Sequence, residues 1–120
     1  MATTAPTEQL EARIQADCFA YHWNTYPAER RRLFMVYNTP KNAAHGSFLK
    51  SMGMVAGVSD MCYLSPNGRT WFLECKRPGE HQSPEQVIFS DTVTPLGHQY
   101  RLFTSLTEFQ AILEEARSLS

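Results

Sequence analysis

The sequence lacks any long apolar run: nothing in its 120 residues approaches the roughly 18–20 consecutive apolar positions of a membrane span. Residues 1–9 have neither the basic stretch nor the apolar stretch of a secretory leader, which predicts an intracellular protein of a cell or of an infecting virus, with no membrane partner. Cysteine is scarce. Cys18, Cys62 and Cys75 are an odd number without C-x-x-C spacing, each in an apolar context. They read as reduced core residues rather than a disulfide frame or a zinc site. No repeat, linker or low-complexity segment divides the chain, so its length predicts one domain over residues 1–120, with 1–7 as a flexible polar arm.

Acids are nearly missing from the middle of the sequence. Between Arg30 and Arg77 eight cations meet only Asp60 and Glu74, a local charge of +6. The rest of the chain carries three cations against ten acids, −7, which returns the net charge of −1. A basic middle between acidic ends points to a local anionic partner; the alternative is a solvated face whose charges compensate one another.

What is present is a regular alternation of elements. Leu10, Ile14, Cys18 and Tyr21 recur at spacings of three and four, predicting a helix over 8–26, with Ala12, Ala16, Phe19 and Trp23 broadening its apolar stripe. Pro27 closes it. Residues 33–37 read as a short strand, and 41–57 as a loop holding one or two helical turns around Phe48 to Met52. Strands over 61–64 and 70–76 form a hairpin across Ser65-Pro66-Asn67-Gly68. Ser83 and Pro84 open a helix to about residue 94, stopped at Gly97. A strand follows over 99–103, and Ser105 to Glu108 has the form of a capping box for a last helix. The order α-β-(short α)-β-β-α-β-α predicts an α/β sandwich with a mixed sheet.

The hairpin raises the functional question. Asp60 stands at the head of its first strand, and Glu74 and Lys76 lie inside its second, where unpaired charge is costly. On an extended strand Glu74 and Lys76 share a face and Cys75 points opposite. Two carboxylates converging at a sheet margin beside a lysine make a hard-oxygen site suited to Mg²⁺ or Mn²⁺, which would balance their repulsion. Lys76 would then hold or deprotonate a water, or neutralise charge on a phosphate oxygen. The alternative is a self-neutralising Glu74–Lys76 pair.

The pattern D-x(13)-E-C-K within GVSDMCYLSPNGRTWFLECKRPGEHQSPEQ resembles the PD-(D/E)XK nuclease superfamily, specifically its VRR-NUC branch of virus-type replication-repair nucleases. The resemblance runs from Glu11 to about Leu113. It takes in G-V-x-D, S-x-E-Q at a helix start, and a G-x-x-Y strand followed by an S-x-x-E-F helix. It departs from the family at Ala56 and Ser59, where proline is frequent, and at Cys75, a position more often aliphatic.

The resemblance implies a restriction-endonuclease-like αβββαβ core and metal-dependent hydrolysis of DNA phosphodiesters. Asp60 and Glu74 would be metal ligands, joined by the Cys75 carbonyl and by Glu11 from the first helix. Lys76 would be the catalytic lysine. Gln86 is either an assisting catalytic residue or simply the partner of Ser83 in a helix cap. Lys41, Lys50, Arg77, Arg30, Arg31, Arg32 and Gln15 are the candidate DNA contacts. The expected substrate is branched or otherwise structured DNA, cut by a homodimer in the Holliday-junction version. Alternatives are a flap or nicking nuclease acting as a monomer or with a partner, and a DNA-binding module that does not cut. Intact Asp60, Glu74 and Lys76 argue against the last.

Overall fold

Asn67-Gly68 turns the chain as its sequence requires, with Gly68 at φ +83 and Ser65 and Asn67 side chains closing the loop. In the computed structural model, which describes residues 6–118, this hairpin is the centre of the sheet. Strands β1 (Leu33–Met35), β2 (Met61–Leu64), β3 (Thr70–Cys75) and β4 (Gln99–Phe103) lie in the order β1-β2-β3-β4. The first three are antiparallel, while β4 runs parallel to β3. Parallel pairing requires a crossover, supplied by a helix, Pro84–Val93. Helices α1 (Pro6–Thr25), α2 (Ala43–Ser51), α3 (Pro84–Val93) and α4 (Leu106–Ser118) complete the α/β sandwich. None of the described helices is long and apolar enough to cross a membrane.

Strand alternation sorts the two faces. Leu33, Met61, Tyr63, Trp71, Leu73, Cys75 and Phe103 form one buried face under Cys18 of α1 and Phe109, Leu113 and Ala116 of α4. On the other face Phe72 and Tyr100 meet Phe89 of α3, with ring centroids 5.0 and 6.0 Å apart. The three cysteines are buried and free, as their apolar contexts indicate. Burial pushes the Cys18 and Cys75 thiols up to about 12, so neither is a ready thiolate.

Several boundaries differ from the sequence reading. Pro6 and Thr7 belong to α1 and not to an arm; residues 1–5 lie outside the described residues. The middle loop holds a nine-residue helix, capped by Asn42, whose side chain accepts from His45 N at 2.8 Å. β1 stops at Met35 and β3 at Cys75. The box at α4 is only half formed: Ser105 Oγ accepts from Glu108 N, while the Glu108 carboxylate binds Thr104 N and Oγ1 at 2.6 Å each.

A buried acid joins three elements on the core side. Glu29, in a short 3₁₀ turn after α1, accepts from Tyr63 Oη (2.8 Å) and Arg117 Nε (2.7 Å) and bonds His22 Nε2 (3.1 Å). Burial alone would raise its carboxyl, but these hydrogen bonds outweigh that and hold it below the usual range.

Candidate active site

The hairpin register pairs Met61 with Leu73, so the next positions outward, Asp60 and Glu74, face each other. Their carboxylates are held crosswise. Asp60 N donates to Glu74 Oε1 at 3.0 Å, and Cys75 N donates to Asp60 Oδ2 at 2.9 Å. Glu74 is only 7% exposed. Burial, and next the charge of Asp60, pushes its carboxyl up to about 8. Burial likewise raises Asp60, although the Cys75 N–H and Lys76 act in the opposite direction. Two acids this close cannot both ionise at neutral pH without a cation or a shared proton.

Lys76 follows β3, its backbone N–H bonded to Phe103 O at 2.9 Å. Among the described residues it makes no ion pair within 4 Å, so the self-neutralising Glu74–Lys76 contact does not form. Its charge nevertheless lowers both carboxyls and that of Glu11. Glu11 in turn is raised by its partial burial and by the charges of Glu80 and Asp60, but among the described residues it is not gathered with Asp60 and Glu74 into one cluster. Behind them Cys75 Sγ donates to the Glu11 carbonyl at 3.7 Å, seating α1 on the strand that carries Glu74.

Two clefts meet at Asp60. One, of about 400 Å³, is lined by Asp60, Glu74, Gln86 and residues 54–58; the other, of about 260 Å³, by Asp60, Gln15, Asn38 and Met35. Gln86 serves the cap and faces the cleft at once. Its Oε1 accepts from Ser83 N at 2.9 Å, completing a capping box and leaving its amide nitrogen for other partners.

The remaining sequence candidates are more dispersed. Arg32 is engaged by Leu64 O, Tyr63 Oη and Glu29. Arg30 lies over Trp23, and Arg77 pairs with Glu80 at 3.4 Å. Lys41 and Lys50 are exposed before and within α2, and Arg31 is exposed beside α1.

Three positioning residues escaped the sequence reading. Tyr100 Oη donates to Gly57 O at 3.1 Å, and Asn38 Nδ2 to Val58 O at 3.2 Å, fixing the segment that delivers Asp60. Gly57 has φ +92, and a Cβ there would strike the Glu85 carbonyl at the start of α3. The G-V-x-D motif contained this glycine, but nothing in the motif shows what it packs against.

The donor chemistry fits a divalent cation: hard oxygens from a buried and a half-buried acid whose repulsion an ion would relieve. Among the described residues no group of three or more His, Cys, Asp or Glu side chains is gathered closely enough to hold an ion by itself. Backbone carbonyl and water would therefore have to complete any coordination shell.

No family model matches the chain. A protein described as "Putative nuclease p44", from Acyrthosiphon pisum secondary endosymbiont phage 1, is 44% identical over 43 residues; the match spans 36% of this chain and 46% of that relative. A solved "VRR_NUC domain protein" superposes with a TM-score of 0.70 at 12% identity, covering 95% of this chain and 90% of the other. A second solved "VRR_NUC domain" gives a TM-score of 0.56 at 18% identity, covering 88% and 95%. The resemblance read from Asp60, Glu74 and Lys76 is thus borne out in the architecture: the chain has the fold of the VRR_NUC domain proteins.

Proposed function

We propose that this chain is a divalent-metal-dependent DNA endonuclease hydrolysing phosphodiester bonds. The observation that carries the reading is the crossed carboxylate pair, buried Glu74 and half-buried Asp60, at which two clefts meet, with Lys76 two residues along the chain from Glu74. The VRR_NUC fold and the phage relative's name support it.

Asp60 and Glu74, with the Cys75 carbonyl and water in place of a third acid, would hold Mg²⁺ or Mn²⁺, which supplies Lewis acidity toward a phosphate oxygen. Glu11, expected from the sequence as a further ligand, is not gathered with them among the described residues. The protein's own groups do the rest. Lys76 neutralises charge that builds on the phosphate during attack and orients the water beside it. Gln86, anchored through Oε1, offers its amide N–H groups to the substrate across the cleft. Tyr100, Asn38 and Gly57 hold the Asp60 segment still, so the charge pattern is in place before DNA arrives.

Recognition through phosphates and shape makes branched DNA the substrate class. Symmetric cutting of a four-way junction would further require a homodimer, because one site cuts one strand at a time. The test is incubation with labelled linear, flapped and four-way DNA in Mg²⁺, Mn²⁺ or EDTA. Cleavage should need the metal and vanish in Asp60→Ala and Glu74→Ala, whose DNA binding persists or tightens. Wild-type rates in those variants, or no metal-dependent cleavage of any form, would reject the reading.

A further inference from the structure

Helix α2 is closed at both ends by its own local bonds. Asn42 caps its start, and at its end Gly53 N and Met54 N donate to Lys50 O and Leu49 O at 3.1 and 2.9 Å. Its inner side is small: Gly46 lies against Pro40, with His45 and Leu49 half-buried beside it. Ala44, Phe48 and Met52, four residues apart, form a row along one outer shoulder. Phe48 is 57% exposed, Met52 65% and the following Val55 56%. Phe48 stands outside the core cluster, and among the described residues its ring pairs with no other aromatic ring or guanidinium. Ring surface is therefore open to a partner.

This row borders the candidate active site. Residues 54–58, which follow it directly, line the cleft of about 400 Å³ and stop two residues short of Asp60. The surrounding charge indicates the partner. From Arg30 to Ser59 no acid occurs, while Arg30, Arg31, Arg32, Lys41 and Lys50 do. Lys41 precedes the first turn of α2 and Lys50 lies on the shoulder opposite Phe48; both are exposed. A purely apolar protein partner has no use for flanking cations without a single acid among them. DNA uses both, because its phosphates take the cations while an apolar side chain enters between two base pairs.

We propose that α2 is a wedge: Phe48, followed by Met52, enters the base stack beside the scissile phosphate and bends the duplex toward Asp60 and Glu74. This rests on the nuclease reading and places part of its selectivity in the stiffness of the DNA. Insertion breaks stacking, which costs least where a mismatch has already weakened a step. Paired DNA with such a step is then favoured over a uniform duplex, and no unpaired strand is required.

The test uses the full chain in EDTA, so that binding is read without cleavage. Two duplexes of equal length, differing by one central mismatch, each carry 2-aminopurine beside that position. Saturating wild type should raise the fluorescence of the mismatched duplex, as an unstacked base requires, and bind it about tenfold more tightly than the paired one. Phe48→Ala should abolish the fluorescence rise and bring the two affinities together, while Phe48→Tyr, which keeps the ring, retains both effects. Lys50→Gln should weaken both duplexes alike and leave their ratio intact, because its contact is to phosphate. All three variants should melt like the wild type, since the two side chains are exposed. A wild type that binds neither duplex or shows no mismatch preference would overturn the proposal, as would a preference undiminished in Phe48→Ala. So would a dimeric wild type that Phe48→Ala dissociates with the 2-aminopurine signal unaltered, since the row would then belong to a second copy. Failure of the wild type to cleave in Mg²⁺ would instead strike the nuclease reading and leave the wedge result standing.

Discussion

At the scale of single residues, Glu74 ties stability to function through its proton. Its folded-state pKa of about 8 lies above the ordinary carboxyl value, so the folded protein keeps a proton that the unfolded chain releases near pH 4.5. The stabilisation is complete below that pH and is lost as pH rises toward 8. Metal-free protein should therefore melt at progressively lower temperature from pH 5 to 8, by an amount on the order of a few kcal/mol. Glu74→Gln should remove most of that slope, and Mg²⁺ should raise the melting temperature more at pH 8 than at pH 5. A calorimetric profile that is flat across the window would refute the account. Lys76 gives the complementary test. Because it makes no ion pair within 4 Å among the described residues, Lys76→Met should cost little stability. Its loss lets both carboxyls rise and share a proton more readily. Single-turnover cleavage should nevertheless fall by roughly 10²–10³, the scale of losing one preorganised charge-stabilising group. Residual activity that merely follows the folded fraction would make the lysine structural.

At the scale of elements, Glu29 fastens α1 to β2 and α4 through His22, Tyr63 and Arg117. Glu29→Ala should destabilise by about 1–3 kcal/mol, because it strands the buried Tyr63 hydroxyl and His22 imidazole and unpairs the half-buried Arg117. Denaturant titration reads this directly, and a loss under 1 kcal/mol would mean that the network is ornamental. None of this was legible in the sequence, since the three partners lie 7, 34 and 88 positions from Glu29. Legible features were those with local causes. The Asn-Gly turn fixed the hairpin, whose register set Asp60 opposite Glu74, and alternation gave β2 and β4 to the residue. The capping pair Ser83–Gln86 was readable because its two halves are three residues apart. α2 was read too short because Asn42 caps it without the Glu or Gln that signals a box. Tyr100 and Asn38 grip the segment before Asp60 from 43 and 20 positions away, a distance no motif spans.

At the scale of the whole molecule, the basic middle of the sequence does not become one uniform basic face. Folding commits Arg32 to Glu29, Tyr63 and Leu64, so this cation holds the core rim together and is oriented away from a phosphate role. Arg77 keeps a partly exposed partner in Glu80, a surface pair weak enough to yield to a phosphate. Lys41 and Lys50 stand exposed at the two ends of α2, and Arg30 is held over Trp23 with its charge uncompensated by any ion pair among the described residues. With Arg31 also exposed, five cations are thus available to a duplex where the sequence alone offered six. Each phosphate contact releases counterions and contributes about −0.9 to the slope of log affinity against log salt, so duplex binding in EDTA should show a slope of about −4 to −5. The variants then divide by role. Lys41→Gln with Lys50→Gln should flatten the slope by about 2 at unchanged melting temperature. Arg32→Gln should lower the melting temperature and leave the slope alone. A flat salt dependence in the wild type, or a slope that responds to Arg32 and not to the lysines, would move the DNA face away from α2 and onto the opposite side of the sheet.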